Sequence, residues 1–321
     1  MDFYYAPLEG ITGYLYRNAH HSQFDQVTKY FSPFIFANQN DGIKGKDVKD
    51  ILPENNPGIP LVPQLLTNNA KDFISTAKKF KSLGYEEINL NLGCPSGTVV
   101  SRHRGSGFLA KKAELDVFLE EIFSDAATKI SIKTRIGKEA PEEFYELLEI
   151  YNKYPMEELI IHPRIQKDFY KNTPNLEVFR HAAKQSKDSI CYNGDIFSTD
   201  DYTSFITDFP EVKKIMLGRG LISNPGLIRE ITEGIRLDKK SLRSFHDKVY
   251  ADYKVILFGD RNVLFKMKEI WFYMVAQFTN NEKYWKKIKK ANDCSEYDLA
   301  VARLFEEQEI CEKPDFLTWK K

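Results

Sequence analysis

Cys94 ends an alternating run, Ile88-Asn89-Leu90-Asn91-Leu92, and is clamped between Gly93 and Pro95. Asn89 and Asn91 alternate with three apolar residues, which is the two-residue period of a β-strand. The strand delivers a thiol into a flexible, polar loop that carries Gly97, Gly105 and Gly107. A thiol placed at a strand end serves as nucleophile, metal ligand or proton donor. The other cysteines, Cys191, Cys294 and Cys311, form no C-x-x-C pair, so no metal site is signalled. Cys191 lies in a β-run and reads as packing, as do Cys294 and Cys311.

The chain around this thiol has 321 residues, of which 42% are apolar. That is enough for one large domain and a smaller one. Lys+Arg and Asp+Glu both number 46. Bulk charge therefore argues for no nucleic-acid partner, and such a claim must rest on local patches. Scattered cysteines fit a reducing compartment, and the expected location is cytoplasmic. The N-terminus lacks a basic segment followed by an apolar one, and no run of ~18 apolar residues suggests a membrane span. No obligate protein partner is evident.

Eight candidate strands position the reactive residues: 3–7, 27–31, 61–65, 87–92, 129–135, 159–162, 189–192 and 214–217. Helical periods separate several of them. Over 69–83, Phe73, Ile74, Ala77 and Phe80 share a face; over 114–127, Leu115, Phe118, Leu119 and Ile122 do. Ser198-Thr199-Asp200-Asp201 starts a helix over 202–209. Alternating strands and helices predict a parallel sheet, and eight such units predict an α/β fold, a (β/α)8 TIM barrel. An open doubly wound sheet is weakened by the missing G-x-G-x-x-G. Residues 1–237 form the expected barrel and 238–321 an all-helical C-terminal domain, with helices over 243–258, 263–279, 282–291 and 296–311.

In such a barrel the active site lies at the C-terminal strand ends. Those ends carry Ala6-Pro7-Leu8-Glu9-Gly10, Gln64, Asn91 with Cys94, Lys133-Thr134-Arg135, His162-Pro163-Arg164, Asn193-Gly194-Asp195 and Gly218-Arg219-Gly220. Glycine turns after the last two strands are where barrels hold phosphate by backbone N–H groups, and Arg219 adds a cation. A phosphate-bearing cofactor or substrate is expected, with Lys133, His162 and Gln64 pointing at its middle.

These motifs, with Lys133-Thr134-Arg135-Ile136-Gly137 among them, resemble in order and spacing the tRNA-dihydrouridine synthase family over residues 1–235. The resemblance implies an FMN-dependent enzyme that reduces a uridine in RNA with NADPH or NADH, and a helical RNA-binding domain over 238–321. It implies that Pro7, Leu8 and Glu9 line the flavin ring and that Gln64, Lys133 and His162 hold its polar edge. Asn193, Gly194, Asp195, Gly218 and Arg219 hold ribityl and phosphate. Asn91, Arg135 and Tyr170 contact the uracil, and Cys94 is the proton donor. Pro163 departs from the family's His-Gly-Arg-Thr stretch and removes an N–H.

The chemistry agrees with that assignment. Reducing the uracil C5–C6 bond needs hydride at C6 and a proton at C5, and reduced flavin supplies the hydride. A lysine at the flavin N1–O2 edge stabilises the negative charge of the reduced form. Thiols, with reference pKa ~8.5, are protonated at neutral pH yet give up the proton readily. The basic segment Ser101-Arg102-His103-Arg104 is a candidate lid that meets RNA phosphates through Arg102 and Arg104. Lys283, Lys286, Lys287, Lys289 and Lys290, with Tyr284 and Trp285 between them, and Arg261, Lys266 and Lys268 before Trp271, are candidate RNA contacts. Trp271-Phe272-Tyr273 reads as helix core. The RNA is tRNA or ribosomal RNA. The competing functions are an FMN barrel acting on a small molecule, such as a dihydroorotate or enoate oxidoreductase, and a non-enzymatic RNA-binding factor on a decayed barrel.

Overall fold

The computed structural model describes residues 1–37, 45–314 and 316. They fall into two compact units: residues 1–7, 28–195 and 205–217 in one, and residues 8–27, 196–204 and 218–321 in the other.

The first unit holds one parallel sheet. Its strands are β1 (Asp2–Tyr5), β2 (Lys29–Phe31), β3 (Ile35–Phe36), β4 (Leu61–Val62), β5 (Gln64–Leu66), β6 (Glu87–Leu92), β7 (Lys129–Arg135), β8 (Leu159–His162), β9 (Ile190–Tyr192) and β10 (Lys214–Leu217). They are ordered β3-β5-β6-β7-β8-β9-β10-β1-β2-β4. Ten segments make eight barrel positions. Pro63 has no N–H to donate and splits one strand into β4 and β5; Pro33 lies in the gap between β2 and β3. Ser32 bridges the break: its N–H donates to the Val62 carbonyl (3.1 Å) and its hydroxyl accepts the Gln64 N–H (3.0 Å). Because β2 leads into β3 and β4 into β5, the order returns on itself as a closed (β/α)8 barrel.

The helix faces follow the apolar period. Phe73, Ala77 and Phe80 are buried on Ala70–Ser82, and Leu115, Phe118, Leu119 and Ile122 on Lys112–Ser124. Asn69 caps the first through the Asp72 N–H at 3.0 Å. Glu143–Tyr151 and Leu176–Gln185 are further helices, outside the segments expected from sequence.

An ion cluster fills the N-terminal end of the barrel. Glu158, fully buried, takes Lys29 at 2.9 Å, Lys214 at 3.0 Å and the Tyr4 hydroxyl at 2.9 Å, while Lys29 also pairs with Glu87 at 2.6 Å. Burial and the Glu158 charge push the Tyr4 pKa up. These contacts cross from β1 and β2 to β6 and β8, so Glu87 faces inward. By strand period, Asn89 and Asn91 face inward too.

The second unit is helical, with Tyr14–His21, Lys239–Ile256, Asp260–Met274, Glu282–Lys290 and Cys294–Glu307. Gly259, at φ +81°, breaks the chain between the second and third of these. Trp271 is fully buried and donates from Nε1 to the Tyr297 hydroxyl at 2.7 Å, with His246 Nε2 on the same oxygen at 2.6 Å. Trp271 is thus core, as expected, whereas its neighbour Phe272 is exposed. No helix among the described residues is long and apolar enough to cross a membrane.

Candidate active site

Parallel register groups the inward side chains of the barrel. Asn89 pairs with Ser131, Asn91 with Lys133, and Arg135 with His162. Behind Cys94 the amides are linked. Gln64 Nε2 donates to Asn89 Oδ1 (2.7 Å), Asn89 Nδ2 to Ser131 Oγ (2.9 Å), and Asn91 Nδ2 to Gln64 Oε1 (2.6 Å). Asn91 Oδ1 accepts the N–H groups of Gly93 (3.0 Å) and Cys94 (2.9 Å). Gln64 therefore spends its amide on Asn89 and Asn91, and Asn91 spends its own on Gln64 and on the Gly93 and Cys94 backbone.

The other side of Cys94 is held as firmly. Its carbonyl accepts the Ser106 N–H at 3.1 Å and the Ser106 hydroxyl at 2.8 Å. Gly105 permits this approach: it sits at φ +54°, and a Cβ there would lie 2.8 Å from the Cys94 carbonyl oxygen. The loop expected to be flexible is instead built, with a helical turn at Gly97–Val100 and a 3-10 turn at Gly105–Ala110. Arg102 and Arg104 lie on it. Asn68 ties it down, donating to the Arg102 carbonyl at 3.2 Å and accepting from Arg104 Nε at 3.3 Å. The Arg102 side chain is exposed.

Arg135 is buried, and its guanidinium staples three backbone carbonyls: Gly93 (3.0 Å), Ile165 (2.8 Å) and Phe169 (2.7 Å). It joins the Cys94 turn to the loop after β8, and Gln166 Nε2 adds a bond to the Pro95 carbonyl at 3.3 Å. Phe169, at φ +51°, and Tyr170 are exposed on that loop. The Arg135 guanidinium lies 5.6 Å from the Tyr170 ring centre, and the His162 ring 5.9 Å. Arg135 thus orders the loop that presents Tyr170.

Lys133 is half-buried, and among the described residues no carboxylate pairs with it. Burial, and after it the Arg135 charge, push its pKa down to about 8. Lys133 and Arg135 are inward cations two residues apart, and Lys133, with no carboxylate partner among the described residues, suits an anionic ligand.

Arg164 was legible as part of His162-x-Arg164, but its role comes only from the fold. It is buried and bidentate on Asp195 (2.9 and 2.6 Å), donates from Nε to the Asn172 carbonyl (2.6 Å), and contacts His162 Nε2 at 3.1 Å. A guanidinium only donates, so His162 Nε2 accepts and the ring is neutral with its proton on Nδ1. Asn193 donates from Nδ2 to the Met216 carbonyl at 2.8 Å. At Gly194 a Cβ would fall 1.9 Å from the Tyr192 hydroxyl, so only glycine fits. Ser106, Ser131, Asn89 and Gln166 carry no functional assignment from sequence. The alternation of Asn89 with Asn91 was the one available signal.

Pro7 ends the first segment of the barrel unit. Leu8, Glu9, Gly218 and Arg219 belong to the second unit. There Leu8 opens a turn whose N–H reaches Thr12 Oγ1 at 2.8 Å, with Lys266 on the Gly10 carbonyl at 2.6 Å. Glu9 is exposed. Gly220 packs where a Cβ would sit 2.2 Å from the Ile196 carbonyl oxygen, and the Arg219 guanidinium lies 5.2 Å from the Phe197 ring centre. Lys266 and Lys268 both hold backbone carbonyls, the second that of Ala291 at 2.6 Å. Lys283, Lys286, Lys287, Lys289 and Lys290 are exposed, and Tyr284 and Ile288 are buried beneath them.

A family model described as dihydrouridine synthase matches residues 4–309. The chain belongs to the dihydrouridine synthase family. Two proteins of Neisseria meningitidis named tRNA-dihydrouridine(16) synthase are similar to this family member. The serogroup A protein is 29% identical over 179 residues, 55% of this chain and 53% of the relative; the serogroup B protein is 26% identical over 235 residues, 71% and 70%. A probable tRNA-dihydrouridine synthase of Staphylococcus aureus is 26% identical over 231 residues, 70% of this chain and 69% of the relative. The match spans about half the length of the first of these relatives. Among solved structures, 2-naphthoyl-CoA reductase superposes with TM-score 0.56 at 11% identity, covering 72% of this chain and 50% of that one. The old yellow enzyme homologue from Zymomonas mobilis gives 0.53 at 12% identity, covering 76% and 91%. Both likenesses concern the barrel fold.

Proposed function

We propose that this dihydrouridine synthase family member reduces the C5–C6 double bond of a uridine in tRNA, with FMN and NADPH. The observation that carries the proposal is the Cys94 peptide, held on both sides at the C-terminal end of β6. Lys133 and the Nδ1–H of His162 are the donors that would face the flavin's polar edge, and the unpaired Lys133 suits an anionic edge. Asn193, Gly194 and Asp195 would hold ribityl and phosphate; the family resemblance adds Pro7, Leu8, Glu9, Gly218 and Arg219. When bound in its reduced form, the flavin would supply the hydride for uracil C6. Cys94 gives its proton to C5. Tyr170, on the loop that Arg135 orders, supports the extruded base by its exposed ring. Gln64 and Asn91 act through the Cys94 backbone. The helical domain over 238–321 offers the lysines of Glu282–Lys290 to RNA phosphates, and the setting is the cytoplasm.

The deciding experiment is position-resolved dihydrouridine mapping in cellular RNA with and without the gene. Loss at one tRNA position supports the proposal, and loss confined to ribosomal RNA would redirect it. An unchanged map refutes RNA reduction and leaves the small-molecule oxidoreductase.

Two further outcomes are expected. FMN affinity should be flat below pH 8 and fall above it, because Lys133 loses its charge near that value. The unfolded chain keeps that proton to about 10.5, so between the two values the Lys133 contribution to stability of the flavin-free protein rises with pH, opposite in sign to the loss of affinity. Fluorescence titration across pH 7–9.5 checks it; pH-independent affinity refutes it. Replacing Arg102 and Arg104 with Ala should weaken tRNA binding and shallow the log–log salt slope by about 0.9 per lost phosphate contact. An unchanged slope removes these arginines from the interface.

A further inference from the structure

The amides behind Cys94 form a chain with a single direction. Asn91 Oδ1 already accepts two backbone N–H groups, so Asn91 Nδ2 must donate, and Gln64 must present Oε1 to it. Gln64 Nε2 must then donate to Asn89 Oδ1, and Asn89 Nδ2 to Ser131 Oγ. Every amide orientation follows from its neighbour. Gln64, Asn89 and Ser131 are fully buried and Asn91 nearly so, so water offers no substitute partners. An amide has two near-isosteric orientations, and packing alone does not choose between them. The hydrogen-bond chain does.

We propose that Asn89 and Ser131, at the far end of this chain, are positioning residues for the Cys94 thiol. The inference rests on Cys94 as the proton donor proposed above. With Asn89 or Ser131 unable to take part, the buried chain loses a link and Gln64 shifts to recover a partner, drawing the Asn91 amide with it. Asn91 Oδ1 then moves relative to the N–H groups of Gly93 and Cys94 that it accepts, and its hold on them loosens. The peptide before Cys94 rotates, while Ser106 still holds the peptide after it. The Cα–Cβ bond of Cys94 swings between these two peptides. Misplacement by about 1 Å costs on the order of a hundredfold in rate.

The test uses the full-length flavin-loaded protein and three variants: Ser131→Ala, Ser131→Thr and Asn89→Leu. The first readout is Cys94 alkylation by iodoacetamide across pH 6–10, with Cys94 resolved from the other cysteines by peptide mass mapping. Ser131→Ala and Asn89→Leu should shift that rate–pH profile, and Ser131→Thr, which keeps the hydroxyl, should restore it. The second readout is turnover on tRNA: kcat about tenfold or more lower for Ser131→Ala, KM for tRNA unchanged, and flavin reduction by NADPH as in the parent. If Asn89→Leu does not fold, the Ala/Thr pair at 131 decides. A Ser131→Ala profile that superimposes on the parent's overturns the proposal. Normal turnover by Cys94→Ala would instead refute the proton-donor assignment, while the alkylation profiles still judge the positioning.

Discussion

Cys94→Ala should retain its flavin and its reduction by NADPH, and lose about two to four orders of magnitude in kcat on tRNA. The expectation separates two halves of the reaction by geometry. The residues proposed for the flavin are held by contacts of their own, Arg164 on Asp195 and on His162, which the substitution leaves in place. Cys94 is gripped by its own N–H and carbonyl, both of which alanine retains. The variant should therefore fold with an unchanged melting temperature. Absorbance of the bound flavin, stopped-flow reduction by NADPH, and dihydrouridine formed per enzyme give the three readouts. Parent-like turnover removes Cys94 from the chemistry.

Asp195→Leu should cost about 3–5 kcal/mol of stability, because it leaves the Arg164 guanidinium buried and unpaired. The double variant Arg164→Met with Asp195→Leu should recover most of that loss, since an apolar pair of similar volume avoids the desolvation of both charges. Flavin affinity should not recover with it. The double variant removes the Arg164 donor to His162 Nε2 and the Asp195 carboxylate together. Denaturant melts of the flavin-free proteins, set beside FMN titrations, separate the two effects. A single variant that loses less than about 1 kcal/mol would show the pair to be solvated and dispensable; recovery of FMN affinity in the double variant would remove both residues from the site.

Much of this was legible in the chain. The eight barrel positions, the helical tail and the strand-end motifs follow from local patterns, since period-two runs and turn residues act over a few positions. The four C-terminal helices were visible for the same reason, although Lys239–Ile256 begins at an Asp238 cap four residues before the expected start. The division of β4 from β5 was written in Pro63, but its repair by Ser32 required a partner more than thirty residues away in sequence.

The roles of the polar residues were decided in three dimensions. A sequence shows that Arg135, Gln64, Asn91 and Asp195 stand at strand ends; it does not show how many hydrogen bonds each has left to give. Arg135 spends its guanidinium on Gly93, Ile165 and Phe169, Arg164 fixes the orientation of the Asp195 carboxylate, and Gln64 and Asn91 close on each other, on Asn89 and on the Cys94 backbone. Sequence alone determined the barrel and the family, because those depend on residue type and local spacing. Only the tertiary structure decided which groups remain free for a ligand, because burial obliges each polar atom to find a partner, and those partners come from distant strands.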